Sequence, residues 1–184
     1  MALVMLLNTC VFTSFAESIN DVEITDVMMT VSTNETMRNL TWFSNLDEAG
    51  EVRYAKATAV DGENFPAEYK VATAIARPTE IEGVYSYKTT MRGLEENTSY
   101  VYCIVVNDTV SKIYNFDVKT FSDDFSFTFV TDVQVVDEKF GADWVDTMNK
   151  IQTLNEFKDS SIIVSGGDQV NDSEESYYDL FINV

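Results

Sequence analysis

The chain has 184 residues, of which 45% are hydrophobic, and it carries 31 acidic against 12 basic side chains for a formal net charge of −19. This composition, with 7 Gly, 2 Pro and 2 Cys, predicts a folded acidic protein and excludes disordered, collagen-like and disulfide-dense classes. The negative surface disfavours nucleic acid as a partner, and the absence of histidine excludes mechanisms that need an imidazole.

The N-terminus has the pattern of a signal peptide. Residues 2–15 are mostly apolar and uncharged, and Ser14 and Ala16 are small residues at the positions that a signal peptidase inspects. We therefore predict a signal peptide at residues 1–16, a secreted or cell-surface location, and no stable membrane insertion after cleavage, because no other long apolar run occurs. A lipobox ending at Cys10 and a buried first strand or helix are the alternatives. Cleavage would leave Cys103 as the one cysteine, which we expect in the core.

The next hundred residues have the pattern of an antiparallel sandwich. Short β-branched and aromatic runs alternate with polar turn clusters, and they predict strands at residues 22–31, 40–44, 51–57, 69–74, 85–94, 99–106 and 112–120. Seven strands indicate one immunoglobulin-like or fibronectin-III-like domain over residues 17–121. Trp42 is expected in its core, and Tyr85, Tyr87, Thr89 and Met91 are expected on one face of a strand. Leu94 and Tyr100 resemble a tyrosine corner.

The pattern changes after the acidic hinge at residues 122–124. Apolar strands are predicted at 125–130 and 161–165, with a helix at 142–157 whose stripe contains Trp144, Met148, Ile151 and Leu154. This strand–helix–strand order predicts two parallel strands, and a further helix is predicted at 174–184. Two parallel strands cannot enclose a core, so we expect residues 122–184 to be the incomplete start of an α/β domain.

Both strands of this second region end in an aspartate. Asp132 follows the first strand and Asp168 follows the second, after Gly166 and Gly167, which permit a sharp turn. Ligands bind at the carboxyl ends of parallel strands, and neighbouring strands lie about 4.8 Å apart, so the two carboxylates could share a metal ion. Aspartate after a strand is also a common turn or helix N-cap residue, and that alternative stays open for each position.

The sequence resembles bacterial metallophosphatases that carry a purple acid phosphatase N-terminal domain, which is fibronectin-III-like. The resemblance in the sandwich rests on residues 40–42, 51–55, 91–94 and 98–102. Residues 127–134 and 165–172 are similar to the first two sequence blocks of a calcineurin-like phosphoesterase domain. The resemblance implies a two-metal site, with Fe, Mn or Zn as plausible ions, in which Asp132 binds one metal and Asp168 bridges both.

The departures from that family concern the metal ligands. Gln134 stands where many phosphoesterases have a histidine, so it is an amide candidate ligand, and Asn171 stands where purple acid phosphatases have a tyrosine. We expect Asn171 and Asp172 to act around the ligands or as helix caps.

The later histidine blocks of the family have no counterpart in this chain. The resemblance therefore implies a secreted acid phosphatase-like hydrolase of phosphate monoesters as the full-length parent, with this chain inactive by itself. The alternatives are a secreted fibronectin-III-like binding or adhesion module and a natural pseudo-enzyme.

Overall fold

The structure is a computed structural model that describes residues 22–122 and 124–182. The predicted signal peptide at residues 1–16 lies outside these residues. Eleven strands and three α-helices follow one another in the described part, and ten strands come before the first α-helix. The first nine strands are β1 Ile24–Val31, β2 Met37–Ser44, β3 Gly50–Lys56, β4 Lys70–Ala74, β5 Arg77–Pro78, β6 Tyr85–Arg92, β7 Thr98–Val106, β8 Thr109–Val110 and β9 Tyr114–Val118.

These nine strands form two antiparallel sheets. One sheet has the order β1-β2-β6-β5, and the other has the order β4-β3-β7-β8 with β9 also paired to β7. Their inward side chains form one core of buried hydrophobic residues, which includes Leu40, Trp42, Val52, Tyr87 and Ile104. The predicted sandwich is confirmed. The predicted alternation in β6 is confirmed as well, because Tyr87, Thr89 and Met91 are buried and Lys88 is exposed.

Two aromatic features of the core agree with the sequence prediction. Trp42 stacks on Tyr87 with ring centroids 5.0 Å apart, and each ring is 1% exposed. The hydroxyl of Tyr100 accepts a hydrogen bond from the backbone N–H of Glu95 at 3.0 Å, which is the bond that defines a tyrosine corner. This bond ties the start of β7 to the segment that follows β6.

Strands β5 and β8 were not predicted from the sequence. Each contains two residues at the margin of a sheet, paired to β6 and to β7 respectively. A two-residue strand is too short to show the alternation of polar and apolar residues on which strand prediction depends.

The second region contains the predicted parallel pair. Strands β10 Ser126–Val130 and β11 Ser160–Ser165 pair in parallel, with Phe129 opposite Val164 and Val130 opposite Ser165. Three helices accompany them, α1 Glu138–Ile151, α2 Asn155–Asp159 and α3 Glu175–Ile182. No helix in the described part of the chain is long and apolar enough to cross a membrane.

The single helix predicted at residues 142–157 is wrong in its extent. Helix α1 begins at Glu138 because the Asp137 side chain accepts a hydrogen bond from the Phe140 N–H and caps the helix. It ends at Ile151, and Leu154 precedes the short helix α2 with 52% of its surface exposed. The apolar stripe on α1 therefore consists of Trp144, Met148 and Ile151, and Leu154 does not belong to it.

Candidate functional site

The two loops that carry the candidate aspartates run side by side. We call residues 131–134, after β10, loop A, and residues 166–169, after β11, loop B. The N–H of Gly166 donates to the Val130 carbonyl at 2.8 Å, and the N–H of Asp132 donates to the Gly167 carbonyl at 3.2 Å. The parallel pairing of β10 and β11 thus continues into the loops, so Asp132 and Asp168 come from adjacent backbone segments at the carboxyl edge of the sheet.

Further hydrogen bonds join the loops beyond the aspartates. The N–H of Gln134 donates to the Asp168 carbonyl at 2.8 Å, and the N–H of Val135 donates to the Gln169 carbonyl at 3.1 Å. Val135 is fully buried and forms an isolated parallel bridge with Val170. The loops are therefore held in register at both ends, which predicts low mobility of the backbone between them.

All three candidate ligands have left-handed backbone conformations. The φ angle is +55° at Asp132, +49° at Gln134 and +47° at Asp168. Aspartate adopts this region more readily than most residues, but glutamine has no such preference, and each position carries a conformational cost on the order of 1 kcal/mol. Backbone strain of this kind is concentrated at functional sites, where surrounding contacts maintain it. The cross-loop hydrogen bonds supply those contacts here.

Hydroxyl side chains next to the loops bond to them. The Thr131 Oγ1 donates to Asp132 Oδ2 at 2.7 Å. At the end of β11, the Ser165 Oγ accepts from the Gln169 side-chain amide at 2.9 Å and from the Gly167 N–H at 3.4 Å. The parts played by Thr131, Ser165 and Gln169 were not predicted from the sequence. The signal in the sequence was a hydroxyl residue at the start of loop A, Thr131, and another directly before loop B, Ser165.

The two positions in loop B require glycine for different structural reasons. A Cβ atom on Gly166 would lie 2.5 Å from Phe129 Cζ and 3.0 Å from Thr131 Oγ1, so this glycine permits close packing of β10 on loop B. Gly167 has a φ of +116° with open space around it, so its requirement is conformational. The sharp turn was predicted from the sequence. The structure adds that the backbone of Gly166 closely approaches the neighbouring strand β10.

The structure places Asn171 and Asp172 in the segment between loop B and α3. The N–H of Asn171 donates to the Val135 carbonyl at 3.1 Å, and its side-chain amide donates to Asp172 Oδ2 at 3.0 Å. The Asp172 carbonyl accepts from the Glu174 N–H at the approach to α3. Their predicted part in a metal site stays a prediction.

The donor set fits one side of a site for a hard cation. Two carboxylates and one amide oxygen, from Asp132, Asp168 and Gln134, are oxygen ligands of the kind that divalent metals accept, and all three residues are exposed at the sheet edge. Within residues 22–122 and 124–182, no group of three or more His, Cys, Asp or Glu side chains is placed to hold a metal ion. A closed metal site would need ligands in addition to these.

Among solved structures, the chain is similar to purple acid phosphatase PPD1 from seeds of yellow lupin (Lupinus luteus), with a TM-score of 0.60 and 16% identity over 83% of this chain. The chain spans 30% of the length of the lupin enzyme. The sensor domain of the anti-sigma factor RsgI4 of Pseudobacteroides cellulosolvens gives a TM-score of 0.41 at 16% identity, covering 58% of this chain and 95% of that domain.

At this level of identity the lupin enzyme shows the fold alone. Comparison with curated protein sequences gave no match. The sequence profile of the family described as "Purple acid Phosphatase, N-terminal domain" matches residues 24–129, which include all nine strands of the sandwich. The chain therefore belongs to the purple acid phosphatase N-terminal domain family.

Proposed function

We propose that this chain is the N-terminal part of a secreted, metal-dependent phosphoesterase that hydrolyses phosphate monoesters. The observation that carries the proposal is the hydrogen-bonded pair of loops in which Asp132 and Asp168 both adopt positive φ angles. This pair follows directly after a sandwich of the purple acid phosphatase N-terminal domain family. The fold similarity to the lupin enzyme supports it, because that similarity covers 83% of the chain and so extends beyond residues 24–129, which the family profile matches.

In this proposal the residues of the chain hold metal ions at one edge of the sheet. Asp132 and Asp168 would hold the ions, with Asp168 as the ligand shared between two of them, and Gln134 would contribute an amide oxygen nearby. When bound, such ions would supply Lewis-acid chemistry, which polarises a phosphoryl group and activates water for hydrolysis. The other ligands and any general acid would come from outside these residues, so we expect the chain by itself to be inactive.

The test is phosphatase activity in the protein that the complete gene encodes. Asp132→Asn and Asp168→Asn each keep side-chain size and remove the charge, and we expect each to lower kcat/KM for p-nitrophenyl phosphate by about 100-fold or more. Asp146→Asn, at an exposed position of α1, is the matched control and should leave kcat/KM unchanged. Activity should also be lost on metal removal and restored by one of Fe, Mn or Zn.

Two results would contradict the proposal. Wild-type activity in both loop variants would show that the aspartates are turn residues. A correctly folded protein without phosphatase activity in the presence of all three metals would leave a fibronectin-III-like binding module as the function. Detection of the protein outside the cell tests the secreted location separately.

A further inference from the structure

The carboxylate of Asp132 is held by its own chain neighbour. The Thr131 Oγ1 donates a hydrogen bond to Asp132 Oδ2 at 2.7 Å, an ordinary distance for a charge-assisted bond from a hydroxyl to a carboxylate. Such a bond restricts rotation of the aspartate side chain. It also occupies Oδ2, which favours coordination of an incoming cation through Oδ1.

Loop B in turn fixes the threonine. A Cβ atom built on Gly166 would lie 3.0 Å from Thr131 Oγ1 and 3.1 Å from Thr131 Cβ, so the threonine packs against the bare backbone of this glycine. The Gly166 N–H is bonded to the Val130 carbonyl, which keeps this contact in place. The position of the Asp132 carboxylate is therefore set by a contact from the opposite loop, the one that carries Asp168.

We infer that Thr131 is a positioning residue that orients Asp132 for metal binding, with Gly166 of the other loop holding the threonine in place. This inference rests on the proposed function, because it assumes that Asp132 is a ligand. Residues that orient metal ligands typically change metal affinity by about 10- to 100-fold when they are removed. Through Thr131, the orientation of the Asp132 side chain would thus depend on loop B, which carries the other ligand, Asp168.

The 184-residue chain can be tested directly by NMR titration with MnCl2. Bound Mn²⁺ broadens nearby amide resonances even when binding is weak, so the probe does not require a complete site. We expect broadening centred on loops A and B in the wild type and lost in Asp132→Asn. Thr131→Val keeps the branched shape without the hydroxyl and should need about tenfold more Mn²⁺ for half-maximal broadening.

Two control variants separate the hydroxyl from packing. Thr131→Ser retains the hydroxyl and should bind Mn²⁺ within about twofold of the wild type, since the loss in Thr131→Val is expected to be about tenfold. Thr128→Val removes a hydroxyl of β10, the strand that leads into loop A, where it bonds to Ser160 away from the loops, and should leave the broadening unchanged. The dispersion of the sandwich resonances reports whether each variant is folded.

A metal-free measurement tests the inference independently. The χ1 angle of Asp132, read from three-bond couplings, should be a single rotamer in the wild type and averaged in Thr131→Val. An unchanged Asp132 rotamer, or unchanged Mn²⁺ affinity in Thr131→Val while Asp132→Asn loses binding, would overturn the inference alone. Broadening that persists in both Asp132→Asn and Asp168→Asn would instead overturn the proposed function.

Discussion

Alanine substitutions at Gly166 and Gly167 of loop B should destabilise the loop pair in the opposite order to the one that steric crowding alone suggests. At Gly166 a new Cβ would lie 2.5 Å from Phe129 Cζ, which is too close for any real contact. At Gly167 a new Cβ would meet nothing within 4 Å. Steric contact alone therefore predicts a large effect at Gly166 and none at Gly167.

The structure indicates the reverse order of stability loss. Phe129 Cζ is the far end of a side chain that is 58% exposed, so the ring can turn into solvent at a cost on the order of 0.5–1.5 kcal/mol. The contacts of the new Cβ with Thr131, at 3.0 and 3.1 Å, need a shift of only a few tenths of an ångström. Gly167 has a φ of +116°, which an L-residue with a Cβ does not adopt without strain of about 1–3 kcal/mol. The backbone cannot relax freely, because the Gly167 carbonyl accepts the Asp132 N–H. We expect Gly167→Ala to destabilise the loop pair more than Gly166→Ala.

The assay is native-state hydrogen exchange at the amides of Gly166, Asp132 and Gln134, all of which donate across the loops. This measurement reports the local opening free energy and does not depend on how the sandwich unfolds. Protection should fall further in Gly167→Ala than in Gly166→Ala. Equal protection in both variants, or a larger loss in Gly166→Ala, would refute the reasoning that conformational strain exceeds contact strain in this loop.

Three further predictions concern the sandwich. Tyr100→Phe removes the hydroxyl that accepts the Glu95 N–H and should lower the free energy of unfolding by about 1 kcal/mol in urea titrations. Gly50→Ala should cost about 1–3 kcal/mol in the same assay, because its Cβ would lie 2.9 Å from Trp42 Cζ2 in a fully packed core. Burial raises the pKa of the Cys103 thiol, so at pH 8 it should react with a disulfide reagent far more slowly in the native protein than in urea.

The sandwich could be predicted from the sequence because its strands are long enough to show their alternation. In β6 the buried Tyr87, Thr89 and Met91 recur at every second position, and this pattern determined both the strand and its inward face. The break between α1 and α2 could not be predicted in the same way. Leu154 continues the apolar spacing of the helix, but the backbone turns before it reaches that position.

For the candidate site, the sequence predicted the elements and the structure supplied the contacts. An aspartate after each of two parallel strands was enough to predict that Asp132 and Asp168 lie at one sheet edge, and the cross-loop hydrogen bonds agree with this. The positive φ angles at these positions and at Gln134 could not be predicted, since they depend on pairing between segments about 35 residues apart. Thr131 was missed for the same reason, because its role requires knowing that Gly166 lies beside it.

Helix α3 connects the helices of the second region to the sandwich. It follows loop B in the chain, and it packs on α1 through Trp144, whose ring stacks on Phe181 and whose Nε1–H donates to the Phe181 carbonyl at 3.1 Å. The same helix contacts β1 of the sandwich. Because α3 contacts both α1 and β1, it links the helices of the second region to the first strand of the sandwich.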